Sequence, residues 1–132
     1  MAKVHDIIFC LNSTNIEGQG ASAHTILSTM NPEYVPGLFS FSSIVTILDL
    51  DNNKEHKVKF CFGNDDEEKV VLEGKISSFD DPSNLPKEYK GVNLSVDWNN
   101  VNFRTEGIYK LLVSVDDVEV VSKSIYVKGK NQ

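Results

Sequence analysis

Three histidines, His5, His24 and His56, and two cysteines, Cys10 and Cys61, are the side chains with chemistry to offer a metal or a covalent intermediate. The histidines fall in distant segments, and no pair stands at the i, i+2 or i, i+4 spacing of a linear metal motif. A serine or cysteine nucleophile needs a base oriented by a third group, and no Gly-x-Ser-x-Gly elbow presents one. Each cysteine sits in an apolar run, Ile7-Ile8-Phe9-Cys10-Leu11 and Phe60-Cys61-Phe62. There a thiol behaves as a small hydrophobe with a raised pKa, and both cysteines read as free. Gly18-Gln19-Gly20 lacks the Lys-Ser/Thr ending and the following helix of a phosphate-binding loop, and reads as a connection between strands. The chain therefore reads as a non-enzyme.

The carboxylates are arranged differently. Asp49, Asp51 and Glu55 lie in one turn-rich stretch, Asp80 and Asp81 in a second, and Asp116 and Asp117 in a third. If the fold brings the three together, two chemistries open. A cluster of carboxylates and carbonyls can chelate calcium, a hard cation that takes six to eight oxygens. It can also dock onto a basic surface, speeding association and imitating nucleic-acid phosphate. Paired carboxylates on opposed walls of a cleft would suit a glycosidase, but acids carried in turns offer no deep cleft. A fourth acidic run, Asp65-Asp66-Glu67-Glu68, stands apart.

Whether the acids converge depends on the elements between them. The chain of 132 residues is one domain's length, so residues 1–132 are read as a single unit. Between the turn-rich stretches lie short runs dense in Val, Ile, Phe and Tyr, and none keeps a helical period. Strands are expected at 4–11, 24–30, 41–50, 57–62, 69–79, 92–101, 107–115 and 118–127. In the third, apolar residues alternate on both faces, as in a well-buried central strand. Asp116-Asp117 makes a two-residue hairpin loop, with Val115 opposite Val118, Val113 opposite Val120 and Leu111 opposite Ser122. Pro32 and Pro36 exclude a central strand between 31 and 37. The Asp81-Pro82 step favours a turn and a short helical turn before Tyr89.

Short strands with regular turn signals give an all-β fold: an immunoglobulin-like antiparallel two-sheet β-sandwich of about eight strands. Gly107-Ile108-Tyr109-Lys110-Leu111 sets a tyrosine two residues after a glycine, the pattern of a tyrosine corner, whose hydroxyl ties back to the preceding connection. Trp98 shares a face with Leu94 and Val96 and is expected in the core. Tyr34, Val35, Leu38 and Phe39 are expected to fold over a sheet edge. Antiparallel strands from Phe41 onward put the connections bearing Asp49 and Asp51, Asp80 and Asp81, and Asp116 and Asp117 at one end of the sandwich.

The residues also carry a resemblance. An Ile7-Ile8-Phe9 strand, the series Asn31-Pro32-Glu33-Tyr34-Val35-Pro36, an acidic break and the closing Gly107-Ile108-Tyr109, Val113-Ser114-Val115-Asp116-Asp117 and Ile125-Tyr126-Val127 are similar to an uncharacterised family of short bacterial and bacteriophage β-sandwich proteins. The resemblance covers nearly the whole chain. It implies a fold and carriage by phage or prophage, and no catalytic residues.

Nineteen acidic residues against thirteen basic ones give a net charge of −6. Arg104 is the sole arginine, too sparse a basic field for nucleic-acid phosphate. No apolar run approaches a signal peptide's or a membrane span's, so a cytoplasmic protein is expected. These expectations combine into a non-catalytic protein-binding module, with Asp49, Asp51, Asp80, Asp81, Asp116 and Asp117 as the contact and a host factor such as a defence nuclease as the target. One alternative is a virion or tail accessory domain that self-associates through an edge strand or the 34–39 segment. Another is calcium binding at the same acids.

Overall fold

A computed structural model describes residues 2–15, 20–51, 53–65, 69–77 and 84–131. Among these described residues nine strands follow one another: β1 Lys3–Asn15, β2 Ala21–Ile26, β3 Thr29–Met30, β4 Gly37–Leu48, β5 His56–Gly63, β6 Val70–Ile76, β7 Gly91–Phe103, β8 Gly107–Val115 and β9 Glu119–Val127. They form a four-stranded sheet of order β2-β1-β4-β7 and a five-stranded sheet of order β3-β9-β8-β5-β6. This is the expected two-sheet sandwich. One turn of 3-10 helix, Lys87–Tyr89, precedes β7 where a short helical turn is expected.

Period-2 alternation decides which side chains meet between the sheets. On β5, His56, Val58, Phe60 and Phe62 point inward and Lys57 and Lys59 outward. Phe9, Phe41, Val45, Ile47, Trp98 and Phe103 of the smaller sheet face Phe62, Tyr109, Leu111, Val113 and Val127 of the larger, all nearly fully buried. Trp98 is in the core as expected, its ring stacked on Phe41 at 5.9 Å and its indole N–H donating to Ser43 Oγ at 3.0 Å. The tyrosine corner is present, with Tyr109 Oη donating to the Thr105 carbonyl at 2.8 Å. Gly91 is required by close approach, since a side chain there would collide with the Ile47 carbonyl of the neighbouring β4.

Several expectations need correction. The run 24–30 is two strands, because the chain crosses between sheets after Ile26: β2 pairs with β1, while β3 runs parallel to β9. The sandwich is thus not wholly antiparallel. The β8–β9 hairpin is offset by one residue, with Val115 opposite Glu119 and Val113 opposite Val121, around the loop Asp116, Asp117 and Val118. The reason is core composition. The offset turns Ile125 and Val127 inward, whereas the expected register would have buried Ser122 and Ser124. Within 34–39, Val35 is buried and Phe39 packs on the core, but Tyr34 and Leu38 are more than three-fifths exposed. Strand β6 ends at Ile76, and Phe79, Gly18 and Gln19 lie outside the described residues.

Candidate functional site

Strands β4, β6 and β8 all finish at the same end of the sandwich, so the connections after them start from that end. Residues 49–55 follow β4, residues 77–90 follow β6, and the β8–β9 turn closes the group. Asp49, Asp51, Lys54, His56, Lys87, Asp116 and Val118 line a common pocket of about 330 Å³. Asp49, Asp116 and Asp117 have φ of 57°, 53° and 60°, the left-handed region that Asp tolerates better than most residues. Leu50 is buried between Asp49 and Asp51, and its N–H donates to the Lys90 carbonyl at 3.2 Å, binding the first connection to the second.

His56 stands at the centre of this end. Its ring is buried, Nδ1 lies 2.7 Å from Asp116 Oδ2, and Nε2 lies 2.8 Å from the Asp51 carbonyl. Both partners are acceptors, so the imidazolium, with two N–H donors, fits the pair better than either neutral tautomer. Burial pushes the imidazole pKa down, but the Asp116 carboxylate and the Asp51 carbonyl outweigh it, and the net shift is upward. Asp116 moves the opposite way. Its hydrogen bond to His56, assisted by the Lys57 N–H donated to Oδ1 at 2.9 Å, holds it below the usual carboxylate range. Asp51 is held low chiefly by the Asn53 N–H at 2.9 Å, with Lys54 and Lys87 adding attraction. The Asp116 N–H also donates to the Lys57 carbonyl at 2.9 Å, so backbone and side chain together fasten the turn to β5.

Of the expected contact residues, Asp49, Asp51 and Asp116 are brought together. Asp117 instead lines a second pocket, of about 440 Å³, on the outer face of the larger sheet beside Lys57, Lys59, Glu73 and Lys75. Glu55 is exposed and pairs with Lys75 at 3.3 Å. Asp80 and Asp81, like residues 66–68 of the fourth acidic run, lie outside the described residues. Among the described residues no group of three or more His, Cys, Asp or Glu side chains could hold a metal ion. His56 and Lys87 were absent from the expected site. The alternation His56, Val58, Phe60, Phe62 was the available signal, because it puts His56 on the inward face.

The arrangement constrains the chemistry. A general base needs an unoccupied ring nitrogen, and both nitrogens of His56 are engaged. Cys10 is fully buried on β1, burial raises its pKa, and its thiol donates to the Ser42 carbonyl at 3.7 Å; Cys61 is half-buried and both thiols are free. Among the described residues no helix is long and apolar enough to cross a membrane.

A family model described as a family of unknown function, DUF6941, matches residues 8–128, in line with the expected resemblance to an uncharacterised family. No curated protein matches the chain. Among solved structures, a crystal structure of β-glucosidase from Listeria innocua is similar at 11% identity and a TM-score of 0.50, covering 92% of this chain and 16% of that one. The same enzyme in complex with isofagomine gives 7% identity and a TM-score of 0.42, with the same coverage. The chain spans about a sixth of those enzymes, and the first likeness, at such identity, is one of fold alone.

Proposed function

We propose that this chain, which belongs to the DUF6941 family of unknown function, is a non-catalytic protein-binding module that docks through its acidic loop end onto a basic surface of another protein. The observation that carries the reading is the convergence of Asp49, Asp51 and Asp116 on one end, with the one imidazole there locked between two acceptors. An imidazole with both nitrogens hydrogen-bonded within the fold presents neither to a substrate, whereas carboxylates at a rim attract a cationic partner and orient it. In a cytoplasmic, phage-borne setting the partner is a host factor with a basic face, such as a nuclease whose nucleic-acid site the acids would occupy.

The test is affinity capture with the tagged chain from bacterial lysate, with calcium and with chelator in parallel. A stoichiometric basic partner that leaves at moderate salt, in both conditions, is the expected outcome. Asp51→Lys combined with Asp49→Asn should then weaken capture and flatten its salt dependence. Capture that survives this double substitution would place the contact elsewhere. Capture only with calcium would favour the metal reading.

A further inference from the structure

Strand β6 is one edge of the larger sheet, the two-residue β3 being the other, and among the described residues no backbone segment is hydrogen-bonded to its outer side. Natural sandwiches protect such an edge with a proline, a bulge or an isolated charge. Strand β6 has no proline, and its pairing with β5 runs from Val70 to Ile76 without a register shift. The edge strand β7 of the other sheet differs, with Asn99 and Asn100 both set against Ser40 in a bulge and Asn100 at φ 52°.

Gly74, in the interior of β6, is unexplained within one copy. A side chain there would meet nothing within 4 Å, and its φ is not in the left-handed region. Glycine inside a strand weakens it relative to alanine and often marks the close approach of another backbone. On either side of it, Glu73 and Lys75 share the outer face of the sheet with Lys57 and Lys59. Val71 and Leu72, one on each face of the strand, are exposed at 46% and 36%.

We infer that a second copy of this chain pairs antiparallel with the free edge of β6, about a two-fold axis through Gly74. The axis is perpendicular to the sheet, so residues of like parity face each other and one sheet continues through both copies. Glu73 of each copy then lies opposite the second copy's Lys75, and Leu72 opposite the second copy's Ile76. Charge selects this register. Sliding by one step in either direction sets Glu73 against Glu73 or Lys75 against Lys75, and like charges directly opposite are destabilising. A lysine on a free edge ordinarily deters pairing, but here the incoming strand carries the matching carboxylate. It also relieves Lys75, whose neighbour across β5 is Lys57 and whose present partner, Glu55, is itself exposed.

The test is sedimentation velocity of the full chain over a dilution series. A reversible monomer–dimer equilibrium is expected. E73K should raise the dimer dissociation constant about tenfold or more, because both symmetric pairs become repulsive, and E73K/K75E should return it to within about threefold. Circular dichroism checks that both variants keep the fold. A monomer at every concentration overturns the inference, as does a dimer that E73K leaves intact or that the double swap fails to restore. Capture of a basic partner through the acidic end is independent of residues 73 and 75, so the two proposals fail separately.

Discussion

At its Gly107 end, β8 is anchored by a phenol: the Tyr109 hydroxyl bonds the Thr105 carbonyl while the ring lies against Phe62 and Phe103. The neighbouring chain terminus is fastened there too, with the Gly129 N–H on Glu106 Oε2 and the Lys130 N–H on the Pro32 carbonyl, both at 2.8 Å. At its Val115 end the same strand is anchored by an imidazole held between the Asp116 carboxylate and the Asp51 carbonyl. Both ends satisfy buried polar groups, which every stable fold must do. Only one does so with a buried histidine, whose pKa its carboxylate and carbonyl partners raise. The corner at Tyr109 fixes geometry under all ordinary conditions, whereas the acidic end makes its geometry conditional on charge.

Breaking the comparison at its charged end should have the largest effect. Asp116→Ala strands the buried His56 Nδ1 and removes the acceptor of the Lys57 N–H, for a loss of about 2–3 kcal/mol in urea unfolding. Asp116→Asn keeps the left-handed turn and an acceptor for Lys57, and should lose less. At the other end, Tyr109→Phe deletes one neutral hydrogen bond while keeping the ring, for about 1 kcal/mol. If the two losses were equal, the charged end would add nothing beyond a neutral bond.

The pH dependence sharpens the contrast. The folded-state pKa of His56 is raised, so its contribution is complete below the unfolded value of about 6.5 and is lost as pH rises through the folded value. That of Asp116 is lowered, so its contribution is complete above the unfolded value of about 3.9 and is lost as pH falls through the folded one. The acidic end is therefore tightest between those limits. Unfolding curves of the parent and of Tyr109→Phe should both lose stability as pH rises above about 6.5, and His56→Gln should flatten that limb. A parent chain with no alkaline loss would mean that His56 is neutral and the imidazolium assignment is wrong.

The two ends also differ in how legible they were. The tyrosine corner could be read because glycine and tyrosine at fixed spacing do one local thing, and Trp98 because Leu94 and Val96 mark its face. That Asp49, Asp51 and Asp116 share an end could be read because antiparallel order dictates which turns lie together. The clamp could not. It joins His56 to Asp116, 60 residues away, and to the Asp51 carbonyl, a backbone group that every residue carries, and neither partner leaves a periodic signal. The sheet crossing after Ile26 was hidden for a similar reason: strand propensity runs through 24–30 and says nothing about which sheet receives each half. The turn at Asp116 misled most directly, because two aspartates suggested a two-residue loop.

That hairpin yields the smallest of the expected effects and a direct check on its register. Val120 lies opposite Ser114 on the outer face and is 61% exposed, whereas Val121 lies opposite Val113 and packs against the core. Val120→Thr should change stability by less than about 0.5 kcal/mol, as surface substitutions do. Val121→Thr introduces a hydroxyl with no waiting partner and should cost about 1 kcal/mol. A two-residue loop would reverse the order, because sliding β9 by one residue exchanges its faces. The order of the two losses therefore reports whether Asp116 is seated against Lys57 and His56 with Asp117 and Val118 completing the loop. It does so without disturbing any residue of the acidic end.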